Sequence, residues 1–340
     1  MDFLRIGFIG AGGNTRLRHL PGFLTCKGVD PLVVCNRSLE STQKVAQEFG
    51  IPQVAEDWRG VVENPDVDVV CIGTWPGTHA EITIAALEAG KHVLCEARMA
   101  ADLAGAEAML AASRSRSDLV AQVVPSPLSL DLDARIAALL EEAAIGDMQE
   151  IFVVHSFAGY QDPDEPLPWR LDRRVSGVNA LTLGILHEMV QRWISGEPEV
   201  IQATAGIYTP ERLDESAGER VRVELPESLD VVARFPTGTQ LTYHISGVDA
   251  GPPRLEVRLN GSGGSIHVDL ARQVITLFRA GSESGEVVEV SPEEKRGWCV
   301  EADFVASIRE GHPVTLTDFE TGVRYMRFSQ AVDDAWRTTS

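Results

Sequence analysis

The chain has 340 residues, 44% hydrophobic and 24% charged, the balance of a soluble globular protein long enough for two domains, which excludes disordered, collagen-like and membrane-spanning architectures. Its 30 basic and 50 acidic residues leave a net charge of −20, and so acidic a surface repels phosphate backbones and anionic membranes, so neither nucleic acid nor membrane is an expected partner. Only four of the basic residues are lysines (Lys27, Lys44, Lys91, Lys295), so a mechanism that needs a lysine proton donor has four candidates. The five cysteines (Cys26, Cys35, Cys71, Cys95, Cys299) are odd in number and lack C-x-x-C spacing, and they read as small core hydrophobes in a reducing compartment. The N-terminus, MDFLRIGFIG, has neither a basic region nor a long apolar segment, and a cytoplasmic location is expected.

Along the chain, Phe3 to Ile9 reads as a strand, Leu17 to Leu24 as the start of a helix, Leu32 to Cys35 as a strand and Leu39 to Phe49 as a helix closed by Gly50. Val67 to Ile72 is a third strand, Ala80 to Ala89 a helix ended by Gly90, and His92 to Cys95 a fourth strand. Continuous apolar strands alternating with amphipathic helices specify a parallel sheet covered on both faces, a doubly wound α/β domain. After about residue 120 the texture changes. Met148 to Tyr160, Glu199 to Tyr208, Asp230 to Ser246, Arg254 to Asn260, Gly264 to Val268 and Val274 to Phe278 mostly alternate apolar with polar residues, joined by turns such as Pro236-Thr237-Gly238. That is the pattern of an antiparallel sheet with one face packed. A helical stretch, Gly184 to Ile194, interrupts it, and Val300 to Glu310 and Phe319 to Trp336 close the chain. The expected partition is a Rossmann domain over 1–120 and an α+β domain over 121–340, with a C-terminal helix that can pack back on the first domain.

Directly after the first strand comes Gly10-Ala11-Gly12-Gly13-Asn14-Thr15, followed by helical pattern. A tight turn at a strand end needs glycine, and a second glycine lets backbone N–H groups approach a pyrophosphate at the helix N-terminus. The third glycine of the usual G-x-G-x-x-G spacing is Thr15 here. At the end of the second strand, an Asp or Glu would accept from a ribose 2′-hydroxyl, but the chain reads Cys35-Asn36-Arg37-Ser38. Arg37 can pair with a 2′-phosphate and stack on adenine, and Ser38 can donate to the same phosphate, which favours NADP over NAD.

With GFIGAGGNTRLRHL, IGTWPGTHAEITIAALEAGKHVLCEA, the Trp169-Arg170-Leu171-Asp172 segment and the final GVRYMRFSQAVDDAW, the chain resembles the Gfo/Idh/MocA family of nicotinamide-dependent oxidoreductases over nearly its whole length. The resemblance implies a Rossmann domain followed by an α+β domain whose large, mostly antiparallel open sheet serves as a homodimer or homotetramer face. It also implies sugar-like or cyclic polyol substrates, oxidised or reduced at a carbon bearing oxygen. Carried over by position, the cofactor-binding residues are Gly10, Gly12, Gly13, Asn14, Thr15, Asn36, Arg37, Ser38, Thr74, Trp75, Pro76, His79, Glu96 and Ala97.

Two departures bear on catalysis. Where the family's fourth strand ends in Glu-Lys-Pro, with the lysine serving as acid/base, this chain has Glu96-Ala97-Arg98, and none of its four lysines lies near except Lys91 at the opposite end of that strand. Arg98 is a poor acid, although it can bind a carboxylate or polarise a carbonyl; the other reading is a structural arginine. In the helix that normally carries an Asp and a His four residues apart, Thr182 takes the Asp position and Leu186 the His position, while Met189 replaces a third polar site. His187 sits one residue further, about 100° around the helix, where it is either a relocated general base beside Glu188 or a satisfied or exposed helix histidine. His155 and Tyr160 on the strand before Trp169 are the other acid/base or substrate candidates, and Trp169, Arg170 and Thr182 are carried over as substrate-facing residues. No metal constellation and no serine nucleophile motif is present.

The sequence therefore points to an NAD(P)-dependent oxidoreductase, NADP favoured, with non-standard acid/base residues: His187 and Tyr160 as catalytic candidates, and Arg98, His155, Trp169, Arg170, Thr182 and His187 facing the substrate. The alternatives are a nucleotide-binding protein that has lost the chemistry and serves as a sensor or assembly subunit, or an enzyme that uses bound cofactor transiently for elimination or hydrolysis.

Overall fold

The computed structural model describes residues 3–338. The chain divides into two compact units, one built from the segment up to Pro125 together with Cys299–Met326, the other from Ser126–Trp298 together with the segment from Arg327 onward.

The first unit is a six-stranded, all-parallel sheet in the order β3-β2-β1-β4-β5-β6, with β1 Leu4–Ile9, β2 Val29–Cys35, β3 Gln53–Val54, β4 Val69–Ile72, β5 His92–Cys95 and β6 Ala121–Val123. The central strands are fully buried because apolar residues on both of their faces meet helices. Among these helices, α1 (Leu20–Thr25) continues from a π-helical turn over Thr15–His19, and α2 (Leu39–Phe49) is capped by Ser38 and closed by Gly50 in the left-handed region. The helix α3 (Trp58–Val62) precedes β4, α4 (Pro76–Glu88) opens on a proline in its first turn, and α5 (Leu103–Ser115) is capped by Asp102. Strand order reverses at β1, whose neighbours are β2 and β4, and such a switch point is where an open α/β sheet takes its ligand.

The expected boundary at 120 is corrected on two counts. It cuts away β6, and it assigns to the second domain the segment Cys299–Met326, which returns to the first unit. Within that segment α9 (Val300–Glu310) packs Phe304 edge-on against Phe23, and Val123 of β6 donates to the carbonyl of Thr317 at 3.0 Å. A three-residue strand is too short to show periodicity, and its neighbour lies almost two hundred residues away in sequence.

The second unit holds an eight-stranded sheet in the order β16-β15-β14-β13-β7-β12-β11-β8. Its strands are β7 Met148–Ser156, β8 Glu199–Gly206, β11 Ser228–Arg234, β12 Gln240–Ser246, β13 Arg254–Gly261, β14 Gly264–Asp269, β15 Val274–Arg279 and β16 Glu286–Val288. All pairs are antiparallel except β7 with β12. The strand-like stretch from 230 to 246 is a hairpin around Pro236-Thr237-Gly238. One face of the sheet, carrying Ile151, Val153, Leu229, Val231, Leu241, Tyr243, Val257 and Leu259, is buried in a single core with Leu186 and Met189 of α8 (Leu183–Val190) and with Phe328, Val332 and Trp336 of α10 (Phe319–Thr338). The helices α6 (Asp133–Glu141) and α7 (Arg173–Ser176) and a two-stranded hairpin, β9 (Glu211–Asp214) with β10 (Glu219–Arg222), complete the unit. The hairpin is anchored by Arg212, fully buried, which donates to Glu227 at 2.9 Å and to the carbonyls of Tyr160 and Asp162. Among the described residues no helix is long and apolar enough to cross a membrane, and no three metal-ligating side chains come together.

Candidate active site

The glycine turn lies at the C-terminal end of β1. Gly10 has φ +80°, and a Cβ on it would stand 2.6 Å from the Thr74 backbone, so only glycine closes this approach of the β1 turn to the β4 turn. Gly12 and Gly13 are glycine for a different reason. A Cβ at Gly12 would meet nothing closer than 3.9 Å, and one at Gly13 would meet nothing within 4 Å, so the space over these two backbones is left open. An open cradle of bare backbone at a helix start fits a pyrophosphate. Thr15, in place of the third glycine, is buried and points at Gly73: a Cβ on Gly73 would overlap Thr15 Oγ1 and stand 2.5 Å from the Gly10 carbonyl. The close packing that the missing glycine normally allows has moved to position 73, and the helix accommodates Thr15 with a π-helical turn over Thr15–His19.

Around the end of β2, Asn36 braces the turn: its Oδ1 accepts from Ala11 N at 2.7 Å and its Nδ2 donates to Ser41 O at 3.2 Å. Ser38 is committed as the cap of α2, accepting from Ser41 N and donating to Ser41 Oγ at 3.0 Å, so the phosphate donor read from the sequence already has an internal acceptor. Arg37 is exposed and its guanidinium lies 5.1 Å from the ring centroid of exposed Trp75, a cation–π pair that joins the turn after β2 to the turn after β4. Thr74 packs against Gly10 and Pro76 opens α4, so both shape the turn after β4.

The turn after β5 is held from several sides. His79 is fully buried, with Nδ1 3.0 Å from the Arg98 carbonyl and Nε2 3.0 Å from the Thr74 carbonyl. Burial lowers its pKa, so the ring is neutral and its single N–H serves one carbonyl at a time. His79 thus braces the β4 and β5 turns from beneath and offers no surface to a cofactor, a correction to its expected role. Tyr325 Oη accepts from Met99 N. Ala97 follows Glu96 on the turn and is joined to Arg98 by a cis peptide bond. Arg98, expected to face the substrate, is only 3% exposed, as in the alternative reading of a structural arginine.

Glu96 is the centre of a network the sequence did not reveal. Its Oε1 accepts from Asn14 Nδ2 and from His19 Nε2 at 2.9 Å, and its Oε2 accepts from Ala97 N at 3.1 Å. The other nitrogen of His19, Nδ1, donates to Glu301 of α9 at 2.5 Å. Burial alone would lower the His19 pKa, but the two carboxylates override it and hold it up at about 9. Burial would likewise raise that of Glu96, and the hydrogen bond from His19, followed by those from Asn14 and the Ala97 N–H, pulls it below the ordinary value.

In the second unit His155, at the end of β7, and Thr182, at the start of α8, come together: Nδ1 of His155 is 2.7 Å from Thr182 Oγ1. His155 is half-buried and its ring lies tilted against that of Phe157 with centroids 5.0 Å apart, and burial lowers its pKa, so it is neutral at pH 7. Tyr160 follows, edge-on to Phe157 at 5.6 Å and 8% exposed; its ring lies where a Cβ on Gly247 would stand 2.8 Å from Cε2, so it is largely a packing residue. Arg170 lies over the Trp169 ring at 4.3 Å, and Ser176 Oγ fixes the turn by donating to the Trp169 carbonyl. His187 is elsewhere. It is fully buried, stacked on Phe328 at 3.8 Å with Nδ1 2.9 Å from Tyr243 Oη, deep in the core where no substrate hydroxyl can reach it. The relocated base read from position 187 is therefore corrected to a packed core histidine. The helix carries buried residues on every side, so the 100° rotation from the family position turned the ring inward.

Comparison with known proteins bears on both units. Residues 4–123 match the family model described as an oxidoreductase family with an NAD-binding Rossmann fold, and residues 134–267 match the model of the GFO/IDH/MocA C-terminal domain. The chain belongs to the Gfo/Idh/MocA family. Levoglucosan dehydrogenase of Pseudarthrobacter phenanthrenivorans is 30% identical over 226 residues, 64% of this chain and 58% of that protein. Inositol 2-dehydrogenase of Gluconacetobacter diazotrophicus is 29% identical over 56% of this chain and 54% of its own length. A reductase of dTDP-3,4-didehydro-2,6-dideoxy-alpha-D-glucose from Streptomyces antibioticus is 25% identical over 92% of this chain and 91% of its own. Among solved structures, levoglucosan dehydrogenase in complex with NADH and L-sorbose shares the fold with a TM-score of 0.87 at 24% identity, covering 100% of this chain and 98% of that one.

Proposed function

We propose that this member of the Gfo/Idh/MocA family is a nicotinamide-dependent oxidoreductase, preferring NADP, that acts on a CH–OH or ketone carbon of a sugar-like or cyclic polyol substrate. The observation that carries the reading is the open backbone cradle over Gly12 and Gly13 at the β1–β4 switch point. The preference for NADP rests on Arg37 stacked on Trp75 and on the absence of an acid at the end of β2. The substrate class rests on the names of the relatives, two of which are dehydrogenases of a cyclic sugar derivative and of inositol.

Hydride transfer is the chemistry the cofactor supplies when bound. What the chain must add is a proton acceptor, and His155 is the side chain best suited to it. The contact with Thr182 Oγ1 admits the tautomer in which Nδ1–H donates and Nε2 keeps its lone pair for a substrate hydroxyl, and the lowered pKa leaves the ring neutral; in that tautomer Nε2 takes the hydroxyl proton during alcohol oxidation. Trp169 supplies an aromatic face for an apolar sugar face, with Arg170 over it as a donor to ring hydroxyls.

The test is fluorescence titration with NADPH and NADH, followed by turnover on ketoses, keto-inositols and anhydrosugars. His155→Ala should lower kcat by roughly 10²- to 10⁴-fold while cofactor affinity stays unchanged. Tight binding with no turnover on any of these would favour a nucleotide sensor, and failure to bind either cofactor would end the reading.

A further inference from the structure

The hairpin of β9 and β10 stands outside the eight-stranded sheet, and its inward face is charged. A hairpin that served only to pack would turn apolar residues inward, but the buried positions of β9 are Arg212 and Asp214, while Glu211 and Leu213 between them are exposed. A buried ion pair is a poor source of stability, so the pairing of Arg212 with Glu227 at 2.9 Å calls for another explanation.

The explanation lies in what the hairpin holds. Residues 157–168 form neither helix nor strand, and three of them, Pro163, Pro166 and Pro168, lack the N–H that a hydrogen-bonded ladder needs. Carbonyls of such a stretch that leave solvent must find donors elsewhere. Arg212 supplies them: Nη2 donates to the Tyr160 carbonyl at 2.7 Å, and Nη1 donates to those of Asp162 at 2.7 Å and Glu165 at 3.1 Å. The next residue, Leu213, accepts at its carbonyl from Leu167 N at 2.8 Å. The one after it, Asp214, accepts from Arg174 Nη2 at 2.7 Å, and Arg174 also donates to Asp172, the cap of α7. Three consecutive hairpin residues therefore grip one segment at 160–165, at 167 and at 174, on both sides of Trp169 and Arg170. A lysine could not take the place of Arg212. Its three donors sit on one nitrogen, whereas the planar guanidinium sends two nitrogens to three carbonyls and Glu227.

We infer that Arg212 is a positioning residue: with Leu213 and Asp214 it fixes the segment 160–174 and so sets where Trp169 and Arg170 meet the substrate. The inference rests on the reading of those two side chains given under the proposed function. Its consequence is that a hairpin with no place in the main sheet governs substrate affinity.

The experiment is steady-state kinetics with NADP⁺ or NADPH and the best substrate among the ketoses, keto-inositols and anhydrosugars named above. It compares the parent with Arg212→Lys, which keeps a cation beside Glu227, and with Arg174→Leu, which cuts the tie to Asp214 at a side chain 60% exposed. Substrate KM should rise roughly tenfold in Arg212→Lys and by less in Arg174→Leu, with cofactor affinity unchanged. Loss of folded protein lowers the apparent kcat and leaves KM alone, so a merely structural role does not give this split. The deciding comparison is made in a background carrying Trp169→Ala and Arg170→Ala, where the effect of Arg212→Lys on KM should disappear because the side chains it positions are gone. An unmoved KM in folded Arg212→Lys, an equal loss of cofactor affinity, or a rise in KM that persists in that background would overturn the inference. If Arg212→Lys does not fold, Arg174→Leu in the same two backgrounds decides by the same criteria. A parent that turns over none of these substrates sinks the proposed function and this inference with it, whereas a parent that turns them over with a KM indifferent to Arg212 and Arg174 sinks only the inference.

Discussion

Replacing Gly73 with alanine puts a methyl group where Thr15 Oγ1 already sits and 2.5 Å from the Gly10 carbonyl oxygen. Neither neighbour can retreat. Thr15 is β-branched and 2% exposed at the start of its helix, and Gly10, at φ +80°, is tied by its N–H to the Cys35 carbonyl at 2.8 Å. Overpacking in a rigid site costs about 1–3 kcal/mol, and two unyielding contacts place Gly73→Ala at about 3 kcal/mol. Moving the turn by even a few tenths of an ångström also closes the cradle at Gly12 and Gly13, so NADPH affinity should fall at least about tenfold. Thr15→Gly alone should cost about 1 kcal/mol, about 0.3 of it from helix propensity and the rest from the buried Thr15 methyl and the hydrogen bond from Thr15 Oγ1 to the Gly10 carbonyl. In the double variant the Thr15 overlap disappears while the Gly10 one remains, so it should be more stable than the sum of the single effects by about 1–2 kcal/mol. Urea unfolding followed by tryptophan fluorescence, with NADPH titration on each variant, reads both quantities. A Gly73→Ala protein within 0.5 kcal/mol of the parent, or a double variant that is simply additive, refutes the argument that position 73 took over the space of the missing glycine.

Thr182→Asp places an anion against His155, which favours the imidazolium and raises its pKa by about 1–2 units; the pH at which alcohol oxidation reaches half its plateau should rise by the same amount, and an unmoved profile excludes His155 as the base. Arg37→Leu should weaken NADPH about tenfold or more and leave NADH within about twofold, while equal losses would show that Arg37 only stacks. His187→Phe removes the ring that meets Tyr243 and should cost about 1–2 kcal/mol of stability with turnover nearly unchanged; a kcat collapse in a folded variant would restore His187 to the site. Folding stability should fall with rising alkaline pH. The folded pKa of His19, about 9, exceeds its ordinary 6.5, so its contribution is complete below about 6.5 and is lost as pH rises through 9. Urea midpoints measured from pH 6 to pH 9.5 should show the decline in the parent and a flatter curve in Glu301→Gln; a parent midpoint that rises over this range contradicts the charged cluster.

Elements with strong local signals lie where the sequence puts them: the helices Leu39–Phe49 and Val300–Glu310 and the strand His92–Cys95 keep the same bounds in the structure. The glycine turn, the parallel sheet and the lack of a lysine at Ala97 were also legible, because each rests on residue type within a few neighbouring positions, while His155, Thr182, Trp169 and Arg170 stood as separate candidates. Only the tertiary structure decided which of those polar residues meet. His155 and Thr182 are 27 positions apart, and His19 and Glu301 are 282 apart, so no local pattern can pair them. His187 shows the same limit from the other side. Its helix is buried around nearly all its circumference, Leu183, Leu186, His187, Glu188, Met189 and Val190 alike, and a helix with no solvent face has no periodicity to tell an inward histidine from a substrate-facing one. The sequence determined the chemistry each position can perform. Burial and long-range pairing, which depend on contacts between distant segments, determined which positions are free to perform it.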